Sequence, residues 1–443
     1  MSSSNKLVSV KNKIILSNLL SPVSDKKTNW LPKHGLWLER KTYKNEYYIK
    51  AVLPNDELES IAKRLRSIEL IKLENKILTP SFCDLHFHWV QDDVREMPKD
   101  DLLYWLKNYT WPTENNFKSV SYTKKKIKKF SQELIKAGTL SGGCYSSIHS
   151  HATEQAIENF PGELVVGNVQ MTMNSPDYLL QDKRECLEIT KSLSKKYKSR
   201  YAVTPRFAIT THPEVMKKSA QIGSRNGSFI QTHLSETTQE IDAVMDIYSK
   251  IPGFEKVKSY TEVYEKSGIL GEKTIMGHGI YLNDQELRML KKSNTAIAHC
   301  PTSNAPIKDK GLGSGLFDLK KIQRAKIRWA LGSDIGAGPY LSMVDVMNSF
   351  VSQHKKSGLA SYSMAFFRST LAGESILQSQ EKRGSFDLEK EGTFISWDVD
   401  KVSSLFNKSA EEVLKKVFYR SKARRHECSD LCETVYWRGG KLT

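Results

Sequence analysis

From about Leu78 onward, eight short apolar runs alternate with longer amphipathic stretches. This alternation is typical of repeated strand and helix units, in which helices connect parallel strands. The eight runs are LTPSFCDLHFH, GTLSGGCYSSIH, GELVVGNVQM, RYAVTPRFAI, SFIQTHLSE, KTIMGHGIYL, NTAIAHCPTSN and IRWALGSDIGAG. Eight such units predict an α/β fold, a (β/α)8 TIM-like barrel whose catalytic face lies at the carboxyl ends of the strands.

The flanks of these units have a different pattern. Residues up to about 76 hold short runs such as NKIILSNLL and YYIKAVL, and the tail from about 384 returns to strand-like segments in EGTFISWDV and ETVYWRGGKLT. We predict one small β-sandwich domain built from both chain termini. The expected organisation is 1–76 for its N-terminal part, 77–383 for the barrel and 384–443 for the C-terminal return.

The chain has 67 lysines and arginines against 50 acidic residues, a formal net charge of +17. Many lysines fall in helix-like stretches such as YTKKKIKKF and KSLSKKYKSR, where charge on a solvated helix face is the simplest explanation. Basic and aromatic residues do not interleave as they do in nucleic-acid binding modules, so we expect no nucleic-acid partner.

Cysteine usage and hydropathy predict the compartment. The six cysteines include no CxxC pair, which indicates free thiols in a reducing environment. The chain start lacks the pattern of a signal peptide, and no segment has the apolar length needed to cross a bilayer. We therefore expect a cytoplasmic protein with no membrane partner.

Polar residues occur near the end of most of the eight runs. In chain order they are His86 and His88, His149, Arg206, His233 and Glu236, His278, His299, and Asp334. The carboxyl ends of barrel strands meet on one face, so these side chains are expected to gather there. A chance scatter would not favour one end of the strands, and the pattern therefore indicates a functional site.

His86 and His88 are two residues apart, so strand alternation places both rings on one face while Phe87 points to the other. An HxH pair alone is weak evidence for a metal, because barrel interiors also hold hydrogen-bonded histidines. His233 and Asp334, near the ends of other strands, add a third nitrogen and a carboxylate. Such a set suits Zn²⁺ or Fe²⁺ and leaves a position open for water.

The motifs PSFCDLHFH, THLSE, GHG, AHCPTSN and GSDIGAG, in this order, resemble the amidohydrolase superfamily. Within it, LLYWLKNYTWPTE (102–114) is similar to the LLxWLxxYTFPxE segment of the guanine deaminase family. The resemblance covers nearly the whole chain. It implies a barrel with a composite β-sandwich, one zinc ion per chain with iron as the alternative, and a homodimer.

The implied activity is the hydrolytic deamination of guanine to xanthine and ammonia in purine catabolism or salvage, with guanine and water as substrates. Metal-activated water would attack the amino-bearing carbon. By motif match the residues with implied roles are His86, His88, His233 and Asp334 as metal ligands, Glu236 as proton shuttle, His278 near the reacting water, and Gln91, Arg206 and Phe207 as the purine-binding residues. Asp334 would also accept a proton from water, and His278 could donate to the developing oxygen.

Structural alternatives remain for several of these residues. Glu236 could begin the helix after the fifth strand, where a carboxylate is favoured by the helix dipole. Arg206 could pair with a surface acid, and Phe207 could belong to the core. His149 and His299 are expected to be packing residues or to support the ligands from behind.

Three other functions compete with guanine deamination. The nearest is a related aminohydrolase acting on a pterin, a triazine or a cytosine-like ring. A dinuclear amidohydrolase would need a lysine at the end of the fourth strand, where this chain has TPRFA. A catalytically silent binding scaffold is disfavoured because the ligands and the shuttle are all present.

The chain departs from the family pattern at two places that matter. Val90 replaces the proline of HxxPQ, so the loop that presents Gln91 is less rigidly preset. In the tail, the aspartate expected at Thr393 or Phe394 is absent. Neither change removes a metal ligand, and only Val90 bears on substrate specificity.

Overall fold

The computed structural model describes residues 11–41, 46–65, 67–99, 101–419 and 432–442. Within these ranges the strands are β1 (Asn12–Ser24), β2 (Lys27–Leu31), β3 (His34–Arg40), β4 (Tyr47–Pro54), β5 (Ile68–Pro80), β6 (Phe82–His88), β7 (Thr139–Ser146), β8 (Glu163–Gln170), β9 (Ala202–Pro205), β10 (Phe229–Leu234), β11 (Thr274–His278), β12 (Ala296–His299), β13 (Arg328–Leu331), β14 (Phe394–Asp398), β15 (Cys432–Trp437) and β16 (Gly440–Lys441).

The α-helices in the same ranges are α1 (Asn55–Arg64), α2 (Leu102–Trp105), α3 (Trp111–Asn115), α4 (Val120–Ala137), α5 (Ser150–Asn159), α6 (Lys183–Tyr197), α7 (Pro213–Asn226), α8 (Thr238–Ser249), α9 (Tyr260–Lys266), α10 (Asp284–Lys292), α11 (Leu319–Ala325), α12 (Met343–Gln353), α13 (Tyr362–Arg368), α14 (Leu371–Ile376) and α15 (Ala410–Phe418). None of these helices is long and apolar enough to cross a membrane.

Strands β6 to β13 form the predicted barrel. They lie side by side in chain order, and every neighbouring pair is parallel. Strands β6 and β7 are buried along their whole length, as expected where helices cover the outer face and side chains fill the inside. Each of the eight predicted runs contains one of these strands, so the (β/α)8 prediction is confirmed.

The barrel is nearly closed between its first and last strands. The loop after β13 reaches β6 through the Asp334 backbone N–H, which donates to the His86 carbonyl at 2.8 Å. The Ser333 backbone N–H donates to Asp84 Oδ1 at 2.8 Å. This junction brings the end of the last strand beside the HxH pair, so the two halves of the predicted ligand set become neighbours.

The chain ends together build a second, mixed sheet, as predicted. Its order is β16, β15, β14, β5, β1, β3 and β4, with β2 paired to β1. The tail strand β14 joins the N-terminal part by pairing antiparallel with β5. Helix α1, between β4 and β5, was not predicted. Phe394, at one of the two positions without the family aspartate, is fully buried and stacks on Tyr436 with ring centroids 4.4 Å apart.

The prediction of free thiols holds for the cysteines that the structure describes. Cys83, Cys144, Cys186, Cys300 and Cys432 are all unpaired. Burial raises the pKa of Cys83 and of Cys300 well above the usual thiol range. These two therefore behave as packing residues beside the site, while Cys428 lies outside the described residues.

Candidate active site

Five predicted residues converge at the carboxyl ends of the barrel strands. His86 and His88 end β6, His233 lies in β10, His278 ends β11, and Asp334 follows β13. The centroids of the His86 and His233 rings are 4.9 Å apart, and those of His86 and His88 are 5.1 Å apart. Because four strands contribute, the site depends on closure of the barrel.

The ring nitrogens and the Asp334 carboxylate are arranged as a metal-binding group. His88 Nε2 and His233 Nε2 face each other at 3.0 Å. Asp334 Oδ1 lies 3.3 Å from His86 Nε2 and 3.6 Å from His88 Nε2. Two overlapping sets could hold an ion: His86 with His88 and His233, and His86 with His278 and Asp334.

The donor chemistry of this group fits a cation. Burial lowers the pKa of His86, His88 and His233 well below the usual imidazole range, so the rings are neutral and carry free lone pairs. Both ring nitrogens of His86 are fully buried and have no hydrogen-bond partner among the described residues. Buried polar atoms are normally satisfied, and a metal bound by these nitrogens would satisfy them.

Neighbouring backbone groups orient the candidate ligands. His233 Nδ1 lies 2.6 Å from the Arg206 carbonyl, to which it can donate, and this leaves Nε2 with its lone pair toward the other candidate ligands. Asp334 and His278 have left-handed backbone conformations, with φ of 49° and 70°. Such conformations are costly for residues with a Cβ and are concentrated at functional sites.

Glu236 lies beside this group and does not begin a helix. Thr237 is the N-cap of α8, and Glu236 precedes it in the loop after β10. Glu236 Oε1 accepts hydrogen bonds from Ser314 Oγ at 3.0 Å and Asn304 Nδ2 at 3.2 Å, and Oε2 lies 3.4 Å from His278 Nε2. Burial, followed by the nearby Asp334 charge, raises the pKa of Glu236 to about 8. A carboxyl group so placed can hold a proton near neutral pH.

A cavity opens beside the group. Its lining includes all three predicted purine-binding residues, which are Gln91, Arg206 and Phe207. Apolar side chains, Leu102, Trp105 and Leu106, contribute a further wall. Phe207 lines the cavity and also packs into the main apolar cluster.

Arg206 is not paired with a surface acid. Its Nη1 donates to Glu114 Oε2 at 2.6 Å, and Gln91 Nε2 donates to Glu114 Oε1 at 2.8 Å. Glu114 lies in α3, is fully buried, and ends the LLYWLKNYTWPTE segment. In the sequence, that segment carries the resemblance to the family, but no sequence signal predicts a role for Glu114 itself.

Gln91 is held in place by packing and a hydrogen bond, although the residue before it is Val90 and not the proline of the family pattern. Residues Trp89–Val94 form a 3₁₀ turn, and Val90 is 1% exposed within an apolar cluster that includes Ile335. A Cβ added to Gly336 would lie 2.6 Å from both Cβ and Oε1 of Gln91. Gly336 therefore packs closely against the Gln91 side chain, and Glu114 accepts a hydrogen bond from the Gln91 amide.

Other residues at the site were missed because only distant contacts reveal them. Asn304 and Ser314 follow β12, and both donate to Glu236 Oε1. His299 takes no part, since its ring stacks on Phe317 at 4.1 Å, and His149 faces His151 at 5.9 Å. The expectation that His299 packs is confirmed.

Comparison with known proteins places this geometry in context. Residues 77–424 match the model of the amidohydrolase family. Guanine deaminase of Escherichia coli K12 is 30% identical over 339 residues, 74% of each chain, and that of Dictyostelium discoideum is 30% identical over 368 residues, 79% of each chain. The solved structure of guanine deaminase from C. acetobutylicum, with guanine bound in its active site, has a TM-score of 0.82 at 27% identity and covers 98% of this chain and 100% of that one.

Proposed function

The chain belongs to the amidohydrolase family and, within it, to the guanine deaminases, and from this premise we propose that it hydrolyses guanine to xanthine and ammonia with one zinc ion. One observation carries the proposal: a histidine and aspartate group adjoins a buried carboxyl group, Glu236, and both line the cavity that the predicted purine-binding residues also line. Gln91 and Arg206, which line this cavity, supply the polar groups that a purine needs.

We assign the ligand roles to His86, His88, His233 and Asp334. Three imidazoles and one carboxylate favour Zn²⁺, with Fe²⁺ as the alternative, over the oxygen-preferring Mg²⁺. When bound, the metal would lower the pKa of water in the site from its bulk value toward about 7. Arg206 follows β9, at the position where a second ion would need a lysine, and this supports one metal per chain.

Glu236 is suited to carry protons to the substrate. Two donors hold Oε1, so Oε2 is the oxygen that remains to give a proton to a ring nitrogen and later to the leaving amine. Asp334 can accept the proton that water loses. The C2–O bond forms when water adds to the ring, the C2–N bond breaks when the protonated amine leaves, and guanine plus water becomes xanthine plus ammonia with no proton left over.

Asn304 sets the proton position on His278. Asn304 Nδ2 lies 3.2 Å from His278 Nδ1 and can only donate, so Nδ1 accepts and the ring proton is on Nε2. His278 Nε2 lies 3.4 Å from Glu236 Oε2 and 3.9 Å from Asp334 Oδ2. From there it can donate to the oxygen that gains charge at the reacting carbon.

Ammonia release from guanine by the purified chain tests the proposal. We expect guanine turnover at least about a hundredfold above that of adenine, cytosine, a pterin or a triazine, because unpaired buried polar groups penalise the wrong base. Metal content measured on the same sample should be one ion per chain. Turnover of another heterocycle with none of guanine would support the rival aminohydrolase instead.

Replacing Gly336 by alanine should weaken guanine binding. The new Cβ would meet Gln91 at 2.6 Å on a backbone with φ of +115°, so Gln91 must move. A displacement of this size can cost about a hundredfold in kcat/KM. Steady-state kinetics on guanine should show most of the loss in KM, because Gln91 contacts the base and not the reacting water.

Gly358→Ala is the matched control for that variant. Gly358 also has positive φ, +64°, but nothing lies within 4 Å of its added Cβ. It should lose about 1 kcal/mol of stability and keep its kinetics. Equal kinetic losses in the two variants would mean that backbone strain, and not contact with Gln91, causes the effect.

A further inference from the structure

Gln91, Glu114 and Arg206 form a buried hydrogen-bonded cluster, which we call the Gln–Glu–Arg cluster. Their side chains come from the turn after β6, from α3 and from the loop after β9. They are 2%, 0% and 2% exposed. Both carboxylate oxygens of Glu114 are used, one at 2.8 Å from Gln91 Nε2 and the other at 2.6 Å from Arg206 Nη1.

Glu114 determines which way the Gln91 amide points. A carboxylate has no N–H or O–H to donate, so the Gln91 group that faces it must be the NH₂. The amide oxygen is then turned away from Glu114 and toward Gly336, where an added Cβ would lie 2.6 Å from it. Gln91 lines the cavity, so its acceptor is the end available to a ligand.

Arg206 supplies the complementary polarity. Its guanidinium has five N–H donors and no acceptor, and the bond to Glu114 uses one N–H. Both Arg206 and Gln91 line the cavity, so a ligand meets an amide acceptor beside guanidinium donors. Glu114 also neutralises the buried guanidinium, whose charge would otherwise be unpaired.

We propose that Glu114 is a positioning residue that sets the polarity with which this site reads its base. An acceptor beside donors complements the lactam edge of a 6-oxopurine, where N1–H donates and C6=O accepts. Adenine presents the reverse pattern, since its N1 accepts and its 6-amino group donates. This inference rests on the proposed function, because it takes a purine as the ligand, and it names the edge that is recognised.

The local structure holds Glu114 in place for this task. Residues Leu106–Thr110 form a π-helical turn between α2 and α3, a feature often found at functional sites. Trp111 and Thr110, on the same segment, are buried. This packing leaves the Glu114 carboxylate little freedom, so its two acceptors remain directed at Gln91 and Arg206.

A side-chain swap tests the proposal through binding. Hypoxanthine carries the lactam edge but no 2-amino group, so its equilibrium affinity reports recognition without deamination. In Glu114→Gln, the new amide can keep its oxygen on Arg206 and must then direct its NH₂ at Gln91. The Gln91 amide turns over to accept, and it presents a donor to the cavity in place of an acceptor.

We expect Glu114→Gln to bind hypoxanthine about 10- to 100-fold more weakly, because the turned Gln91 amide would place an N–H donor against the N1–H donor of the base. Gln91→Glu alone should also bind weakly, because two carboxylates would then meet. The double variant Glu114→Gln/Gln91→Glu restores a donor facing an acceptor, the net charge, and an acceptor toward the cavity. It should recover at least about tenfold of the lost affinity, a coupling of the size found between contacting residues.

Melting temperature and metal content are measured on all four proteins to control for folding. A merely structural role for Glu114 would not be rescued by a change at position 91. Parent-like hypoxanthine affinity in Glu114→Gln, or a double variant no better than either single one, would overturn the proposal. Guanine turnover by the parent is measured separately, so its absence would count against the proposed function while the binding cycle still decides the role of Glu114.

Discussion

Replacing Glu236 by glutamine is expected to remove nearly all guanine turnover while leaving the metal bound. The amide has the shape of the carboxyl group and can still accept from Ser314 and Asn304 through its oxygen. It cannot take up a proton and pass it on. Loss of general acid and base catalysis typically lowers rates by about 10² to 10⁴, so kcat should fall by at least that factor in a coupled ammonia assay.

Glu286→Gln is a suitable control for this prediction. Glu286 is also a buried glutamate, 4% exposed, but it accepts from the Asn283 backbone N–H in the capping box of α10 and from Thr261 Oγ1, and it does not line the cavity. This variant should lose stability and keep kcat. Full guanine turnover by Glu236→Gln, with metal content unchanged, would contradict the proton-shuttle role.

The barrel and the metal group could be predicted from the sequence because both follow from local patterns. Each strand is a short apolar run, and each of the site histidines lies near the end of its run. The carboxyl ends of parallel barrel strands meet on one face, so residues as distant as His86 and Asp334 become neighbours without further information. Their spacing in the chain therefore mattered less than their position within each βα unit.

The Gln–Glu–Arg cluster could not be predicted in the same way. Glu114 is 92 residues from Arg206 along the chain and lies on a helical segment inserted after the first barrel strand. No periodicity states which side chain of such an insertion will reach the cavity. Only the folded path of α2, the π-helical turn and α3 brings this carboxylate between its two partners.

Val90 stands where the family has a proline, and other contacts hold Gln91 in place. Proline would restrict the backbone before Gln91, but the structure restrains Gln91 from the side-chain end. Glu114 accepts from its amide, and Gly336 packs against its Cβ and Oε1.

Helix α1 was not predicted for a different reason. Its sequence, NDELESIAKR, has a helical period but lies between two strand-like segments.

Removing the metal is expected to abolish turnover and to lower the melting temperature. The proposed ligands come from β6, β10 and the loop after β13, so a bound ion would link separate parts of the barrel. Without it, the buried Asp334 carboxylate loses its counter-charge, and burial raises its pKa. An ion that binds only the folded chain adds about 4 kcal/mol of stability at a thousand times its Kd. Calorimetry with and without a chelator measures this shift.

His88→Asn should reproduce the chelator's effect, and His354→Asn serves as its control. His354 is a buried histidine that packs against Phe350 and belongs to neither metal-binding set among the described residues. The control should keep one ion per chain and its turnover, whatever it loses in stability.

Retained activity in the metal-free chain, or two ions per chain, would contradict the single-ion site. Zn²⁺ or Fe²⁺ should restore the depleted chain and Mg²⁺ should not, because imidazole nitrogens dominate the ligand set.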